Sequence, residues 1–275
     1  YDLVVVEQPI QRAEDLPVRP IHWQKLFIPR HPGAARYESI VFLDADIIIN
    51  YHRAPCVVSS VPPDRIGMTR FDRYIDDPVL YDLVFIRRYK FARYAQRARE
   101  QANGAPPSCI TGPDYSKTYA EFTGRRDLPL INTGMMVINP RLHGPLLESI
   151  YDDSFRELKS GAQEKIFEQN YVSYKLLEAG VIHFVDPRFN TIAYLEQALH
   201  YPFLDLQADD ALMRLCYSTM LANCFFLHFA ANWHLMSHAV INGDKDFSMV
   251  GLKDVFRNDR ERIRCRAAKQ EACAV

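Results

Sequence analysis

An excess of charge of either sign is missing from this chain: 33 Lys and Arg stand against 34 Asp and Glu, a formal net charge of −1. No global field then draws in nucleic acid or an anionic membrane, so any anionic partner has to be bound locally. Paired cysteines are missing as well. Cys56, Cys109, Cys216, Cys224, Cys265 and Cys273 are scattered without C-x-x-C spacing, which excludes a zinc ribbon or thioredoxin-type site and favours reduced, mostly buried thiols. No apolar run is long enough to span a bilayer, because residues 41–49 are interrupted by two aspartates. Internal repeats and a signal peptide are also lacking. The expected location is cytoplasmic, with the Golgi lumen as the alternative had a leader or anchor been removed ahead of Tyr1.

What is present is ample core material, 48% hydrophobic over 275 residues, sufficient for one large α/β domain or two small ones. Residues 3–6, Leu-Val-Val-Val, read as a short buried parallel strand closed by Gln8-Pro9. Residues 21–28 place Trp23, Leu26 and Phe27 at roughly helical spacing before Pro29, and residues 40–49 form the strongest strand signal in the chain. This alternation predicts a mixed, mainly parallel sheet flanked by helices. Residues 70–128 change character: 81–99 are aromatic and arginine-rich, and 103–113 hold three prolines and two glycines, as in an insertion. A strand at 134–138 follows, then amphipathic helices at 145–159 and 163–179, with Gly180 as C-cap, and a strand at 181–185. The whole reads as a single domain over 1–255, with 256–275 as a solvated tail.

Chemistry concentrates at Asp44 and Asp46, which lie between the apolar flanks Ile40-Val41-Phe42-Leu43 and Ile47-Ile48-Ile49. Open α/β sheets bind ligands at the C-terminal ends of their strands. Two carboxylates there are costly without a counter-charge, and a hard divalent cation supplies one while keeping positions free for phosphate oxygens. A solvated turn is the plain alternative, against which the unbroken flanks argue. His228 follows Phe225-Phe226-Leu227, so its imidazole emerges at a strand end and could complete an Asp-Asp-His cation site. Taken alone it is more often a satisfied core histidine. Asn132, Thr133 and Gly134 offer an amide, a hydroxyl and a side-chain-free backbone for close approach to a sugar, or else a simple turn before a strand.

Several landmarks recur in order: Trp23-Gln24-Lys25-Leu26, Tyr37-Glu38-Ser39 leading into Asp44-Ala45-Asp46, Asn132-Thr133-Gly134, Glu168-Gln169-Asn170, Phe189-Asn190, and His228-Phe229 to Trp233-His234. Over most of residues 1–234 the chain resembles the glycogenin and galactosyltransferase-type enzymes of glycosyltransferase family 8, which have the GT-A (Rossmann-like) fold. The resemblance implies a metal-dependent hexosyltransferase that uses a nucleotide-diphosphate sugar, most simply a uridine diphosphate sugar, and acts with retention. It implies Asp44, Asp46 and His228 as ligands of manganese, or magnesium. It implies donor contacts from Lys25, Asp44, Ala45, Asn132, Thr133, Gly134 and His234. Glu168, Gln169 and Asp46 fall where the family has its catalytic residues: the acidic residue binds donor-sugar hydroxyls, and the glutamine lies on the anomeric face opposite the leaving group.

Glutamate at 168 replaces the family's aspartate, and Ala231 and His234 replace a glycine and a lysine that contact the diphosphate. The first strands of the family fold are expected to be missing ahead of residue 3. Acceptor recognition, of a glycan, glycolipid or protein, is expected in residues 70–128, where Tyr74, Tyr81, Tyr89 and Tyr94 could stack on sugar rings. The cation would stabilise charge on the departing diphosphate, which can itself take the acceptor proton in the front-face retaining mechanism proposed for the family. Two other readings compete. A haloacid-dehalogenase-type phosphatase also opens on a strand with Asp-x-Asp, and Asn242-Gly243-Asp244-Lys245-Asp246 faintly resembles its late acidic motif. A sugar-nucleotide-binding module without turnover is the third.

Overall fold

The computed structural model describes residues 2–6, 9–70, 128–129, 131–158, 168–205, 209–230 and 232–240. Residues 71–127 of the expected insertion with its tyrosines, 163–167 of the second predicted helix, Ala231, the 242–246 motif, the tail at 256–275 and Cys109, Cys265 and Cys273 lie outside these residues. The chain divides into two compact units, one within Tyr1–Ala45, Cys56–Arg73 and Gly112–Pro187, the other within Asp46–Pro55, Tyr74–Thr111 and Arg188–Val275. Its class is mixed α/β, as the sequence predicts.

In the first unit, strands β1 (Ile40–Leu43), β3 (Ile66–Arg70), β4 (Ile131–Ile138) and β5 (Ile182–Phe184) form a sheet in the order β1-β4-β3-β5. β4 is antiparallel to β1 and to β3, and β3 runs parallel to β5. All eight residues of β4 are buried, as its central place in the sheet requires. The β3/β4 register shifts between Gly67 and Thr69. A Cβ on Gly67 would fall 2.5 Å from Val61 Cγ2 and 3.0 Å from Val137 Cβ, so only glycine lets the strands approach there. Helix α1 (Pro140–Glu157) starts five residues before the predicted 145, because Asn139 accepts from the backbone N–H of Arg141 and Leu142 and Pro140 occupies the first turn. Helix α2 (Gln169–Glu178) closes on Gly180, whose φ of 66° is the left-handed value that favours glycine after a helix end.

The segment predicted as a helix over 21–28 is a 3₁₀ run, Ile21–Arg30, whose Trp23, Leu26, Phe27 and Ile28 enter the core with Ile66, Met68, Met136, Leu147 and Tyr151. The aromatic rings of Trp23 and Phe27 meet Tyr151 edge-on at 5.9 and 4.5 Å between centroids. Residues 3–6 differ from expectation. They form no strand, and Leu3 is 90% exposed, since no described strand lies alongside to take up their backbone hydrogen bonds.

The second unit holds a three-stranded sheet, β2 (Ile47–Ile49), β7 (Phe226–His228) and β6 (Thr191–Ile192), with β7 in the middle, antiparallel to β2 and parallel to β6. Helices α3 (Ala193–His200) and α4 (Asp210–Asn223) accompany it, the second capped by Asp209 accepting from Ala211 N–H at 2.8 Å. Leu227 and Phe229 pack with Tyr217, Met220 and Leu221 of α4. The single strand predicted over 40–49 is therefore two strands in two sheets, parted at Asp44-Ala45-Asp46. Alternation of strand and helix signals also suggested mostly parallel neighbours. Among the described strands three pairings are antiparallel and two parallel, because alternation along the chain does not dictate which strands become neighbours.

Candidate functional site

In the first unit the predicted residues Lys25, Asp44, Thr133 and Glu168 gather around one ammonium group. Lys25 is 2% exposed, delivered into the core by the same turn that buries Trp23 and Leu26. Its Nζ lies 2.8 Å from Oε1 of Glu168 and 3.3 Å from Oδ1 of Asp44. It also donates to the carbonyl and hydroxyl oxygens of Thr133, at 3.2 and 3.3 Å, and stands 5.2 Å from the centroid of the Phe42 ring. The Thr133 hydroxyl in turn donates to Oε1 of Glu168 at 3.0 Å.

Burial is the largest influence on the Lys25 ammonium and lowers its pKa. The neighbouring charges of Glu168 and Asp44 and their hydrogen bonds outweigh it, and the net shift is upward. For Glu168 burial again is largest and raises the pKa, but the Lys25 charge and hydrogen bond, a hydrogen bond from its own backbone N–H and the charge of His22 reverse it, leaving the carboxyl below its usual range. Both groups are thus held charged. Glu168 immediately precedes α2 yet makes no cap with its side chain, because the carboxylate is committed to Lys25.

Asn132 and Gln169 are brought together too. The Asn132 amide donates to Gln169 Oε1 at 3.0 Å, while its own oxygen accepts from Gly134 N–H at 2.8 Å. The Gly134 carbonyl accepts from Asp44 N–H at 2.8 Å, extending the β1/β4 ladder past Leu43. The amide of Gln169 is thereby oriented from the buried N-terminal end of β4.

In the second unit Asp46 and His228 are joined. His228 pairs with Ile47 in the antiparallel register, and Phe229 N–H donates to the Asp46 carbonyl at 2.9 Å. The ring follows from this placement: Nε2 of His228 lies 3.2 Å from Oδ1 of Asp46, and Nδ1 lies 2.9 Å from Oδ1 of Asn190. His228 and Asn190 are both buried, and Asp46 is half-buried. An imidazole and a carboxylate turned to one another are a donor set that could hold a divalent cation.

Two predicted residues stand apart. Ala45 is exposed, and His234 is exposed in the 3₁₀ turn Trp233–His238, with its ring edge-on to Trp233 at 6.3 Å. Two functions escaped the sequence reading. For Lys25 the resemblance implies a donor contact; what it does not foretell is that the ammonium meets Glu168, Asp44 and Thr133 inside the protein. Its position between Trp23 and Leu26-Phe27-Ile28 was the signal that it would be buried. Asn190 was noticed only as part of Phe189-Asn190, and nothing in local sequence ties it to a histidine 38 residues on.

No family model matches the sequence, and no curated protein matches it. Among solved structures the chain is similar to the galactosyltransferase LgtC, determined in complex with donor and acceptor sugar analogues. The likeness is at 11% identity and a TM-score of 0.36, over 84% of this chain and 70% of that one.

Proposed function

We propose that this protein is a metal-dependent glycosyltransferase that moves a hexose from a nucleotide-diphosphate sugar, most simply a uridine diphosphate sugar, to an acceptor hydroxyl with retention. The observation that carries the reading is the buried His228 turned by its Nε2 onto the Asp46 carboxylate, one alanine away from Asp44. In this reading Asp46 and His228 each offer one ligand atom to a cation, and Asp44 is the third ligand that the resemblance implies. The donor set fits a divalent ion such as Mn²⁺ or Mg²⁺. When bound, that ion would act as a Lewis acid on the diphosphate leaving group.

The chain's own residues divide the remaining work. Gln169, held by Asn132, presents its amide to the anomeric face. Glu168 and Thr133, fixed around Lys25, accept from donor-sugar hydroxyls. Lys25 keeps the Glu168 carboxylate ionised without occupying the sugar's place. Ala45, Gly134 and His234 complete the donor contacts in this reading. Preorganised polar groups of this kind stabilise a transition state without reorganising as charge develops.

Incubation of the full chain with Mn²⁺ and a panel of sugar nucleotides tests this. Release of nucleoside diphosphate, or transfer to an added saccharide, is expected and should vanish with a chelator. Hydrolysis of p-nitrophenyl phosphate with no use of any sugar nucleotide would overturn the proposal in favour of a phosphatase, and tight donor binding without turnover would reduce it to a binding module.

A further inference from the structure

A buried imidazole has two ring nitrogens to satisfy, and in His228 both have partners. Oδ1 of Asn190 stands 2.9 Å from Nδ1, and Oδ1 of Asp46 stands 3.2 Å from Nε2. An amide oxygen accepts only, so the contact with Asn190 needs a proton on Nδ1. A neutral ring protonated there has its lone pair on Nε2, the nitrogen that faces Asp46. Left to the carboxylate alone, the ring would choose the opposite arrangement, because a carboxylate also only accepts and would draw the proton to Nε2. That tautomer has no lone pair to offer beside Asp46.

We propose that Asn190 is a positioning residue that sets the tautomer of His228, keeping Nε2 as the nitrogen that binds a divalent cation alongside Asp46. The proposal rests on the cation reading given under the proposed function. The backbone supports it from both sides. Asn190 ends the 3₁₀ turn Pro187–Asn190 directly before β6, and β6 is paired in parallel with β7, Ile192 opposite His228. Two residues earlier, the Arg188 carbonyl accepts from Phe225 N–H at 2.9 Å. The asparagine amide is therefore held at a fixed distance from the ring, and the strand on the far side of β7 begins directly after Asp46, which carries the carboxylate. Outer partners of this type orient metal-binding histidines generally.

The test uses the full chain with ¹⁵N-labelled histidine, metal-free and in alkaline buffer, where an ordinary imidazole carries one proton. Ring-nitrogen NMR, with His228 identified by its loss in His228→Gln, should show the Nδ1–H form in the parent protein and a shift to Nε2–H in Asn190→Leu. Mn²⁺ titration followed by electron paramagnetic resonance should show affinity weakened on the order of 10–100-fold in Asn190→Leu. Asn190→Asp, which still accepts from Nδ1, should restore both signals. If Asn190→Leu fails to fold, Asn190→Ala is read in the same way. An Nε2–H ring in the parent protein, or unchanged Mn²⁺ affinity in Asn190→Leu, overturns the proposal alone. Absence of Mn²⁺ binding by the parent protein overturns the cation reading and this proposal with it.

Discussion

Lys25 Nζ and Glu168 Oε1 form a fully buried ion pair 2.8 Å long, and the pair needs both members. Lys25→Met should leave the Glu168 carboxylate buried without its counter-charge, at a cost of about 3–5 kcal/mol. Urea unfolding would measure it. The double variant Lys25→Met/Glu168→Met should recover a large part of that loss, because two apolar side chains of similar bulk leave no orphan charge.

The same pair sets a pH dependence. Glu168 is depressed in the folded protein, so its contribution is complete above its unfolded pKa of about 4.3 and is lost as pH falls through the lower folded value. Lys25 is raised, so its contribution is complete below about 10.4 and is lost as pH rises through the higher folded value. The window of full contribution is thus roughly pH 4.3–10.4. In Glu168→Gln the acid limb of the stability–pH curve should flatten; a limb as steep as that of the parent protein would assign acid unfolding to other carboxylates.

Asp46→Asn and His228→Gln each remove a proposed cation ligand rather than an outer partner. Calorimetric titration with Mn²⁺ should give losses exceeding the ~10–100-fold typical of an outer-shell change. Binding at parental affinity in either variant would place the ion elsewhere.

Asn132→Ala frees Gln169 from its 3.0 Å restraint. If Gln169 works beside the anomeric carbon, kcat for transfer should fall by up to about 100-fold through misplacement, with KM for the donor changing much less. A rise in KM alone would make Asn132 a binding contact only.

Gly67→Ala has to displace Val61 Cγ2, 2.5 Å from the new methyl, and crowds Val137. A loss of ~1–3 kcal/mol is expected from overpacking, and Val61→Ala in the same chain should return part of it, as thermal unfolding of the three variants would show.

The parts of this molecule that were legible in its sequence are those with strong local signatures. The apolar flanks of Asp44 and Asp46 mark strands, and Asp44, Thr133, Glu168 and Lys25 each stand out in the sequence, while their convergence does not. Local signatures failed where partners decide the outcome. Residues 3–6 look like a strand, but a strand exists only beside another. The run over 40–49 gave no hint that its halves join different sheets, because that choice belongs to β4 and β7. Pro145 looked like a helix start, whereas the Asn139 cap and Pro140 already begin the helix there. Over 191–223, where β6, two helices and a cap at Asp209 lie, the sequence reading assigns no element.

The burial of Lys25 also bears on the order in which the chain can fold. Segment Ile21–Arg30 carries the apolar side chains that nucleate a core, yet it carries within them an ammonium whose oxygen partner Thr133 lies 108 residues further along. Until β4 arrives, closing that core would leave the ammonium with Asp44 alone of its oxygen partners, at 3.3 Å, so early collapse of the segment is only partly compensated. Full consolidation needs contacts of long sequence separation, which slow folding. A fragment that stops short of β4 would lack the Thr133 and Glu168 oxygens that let Lys25 follow Trp23 and Phe27 inside.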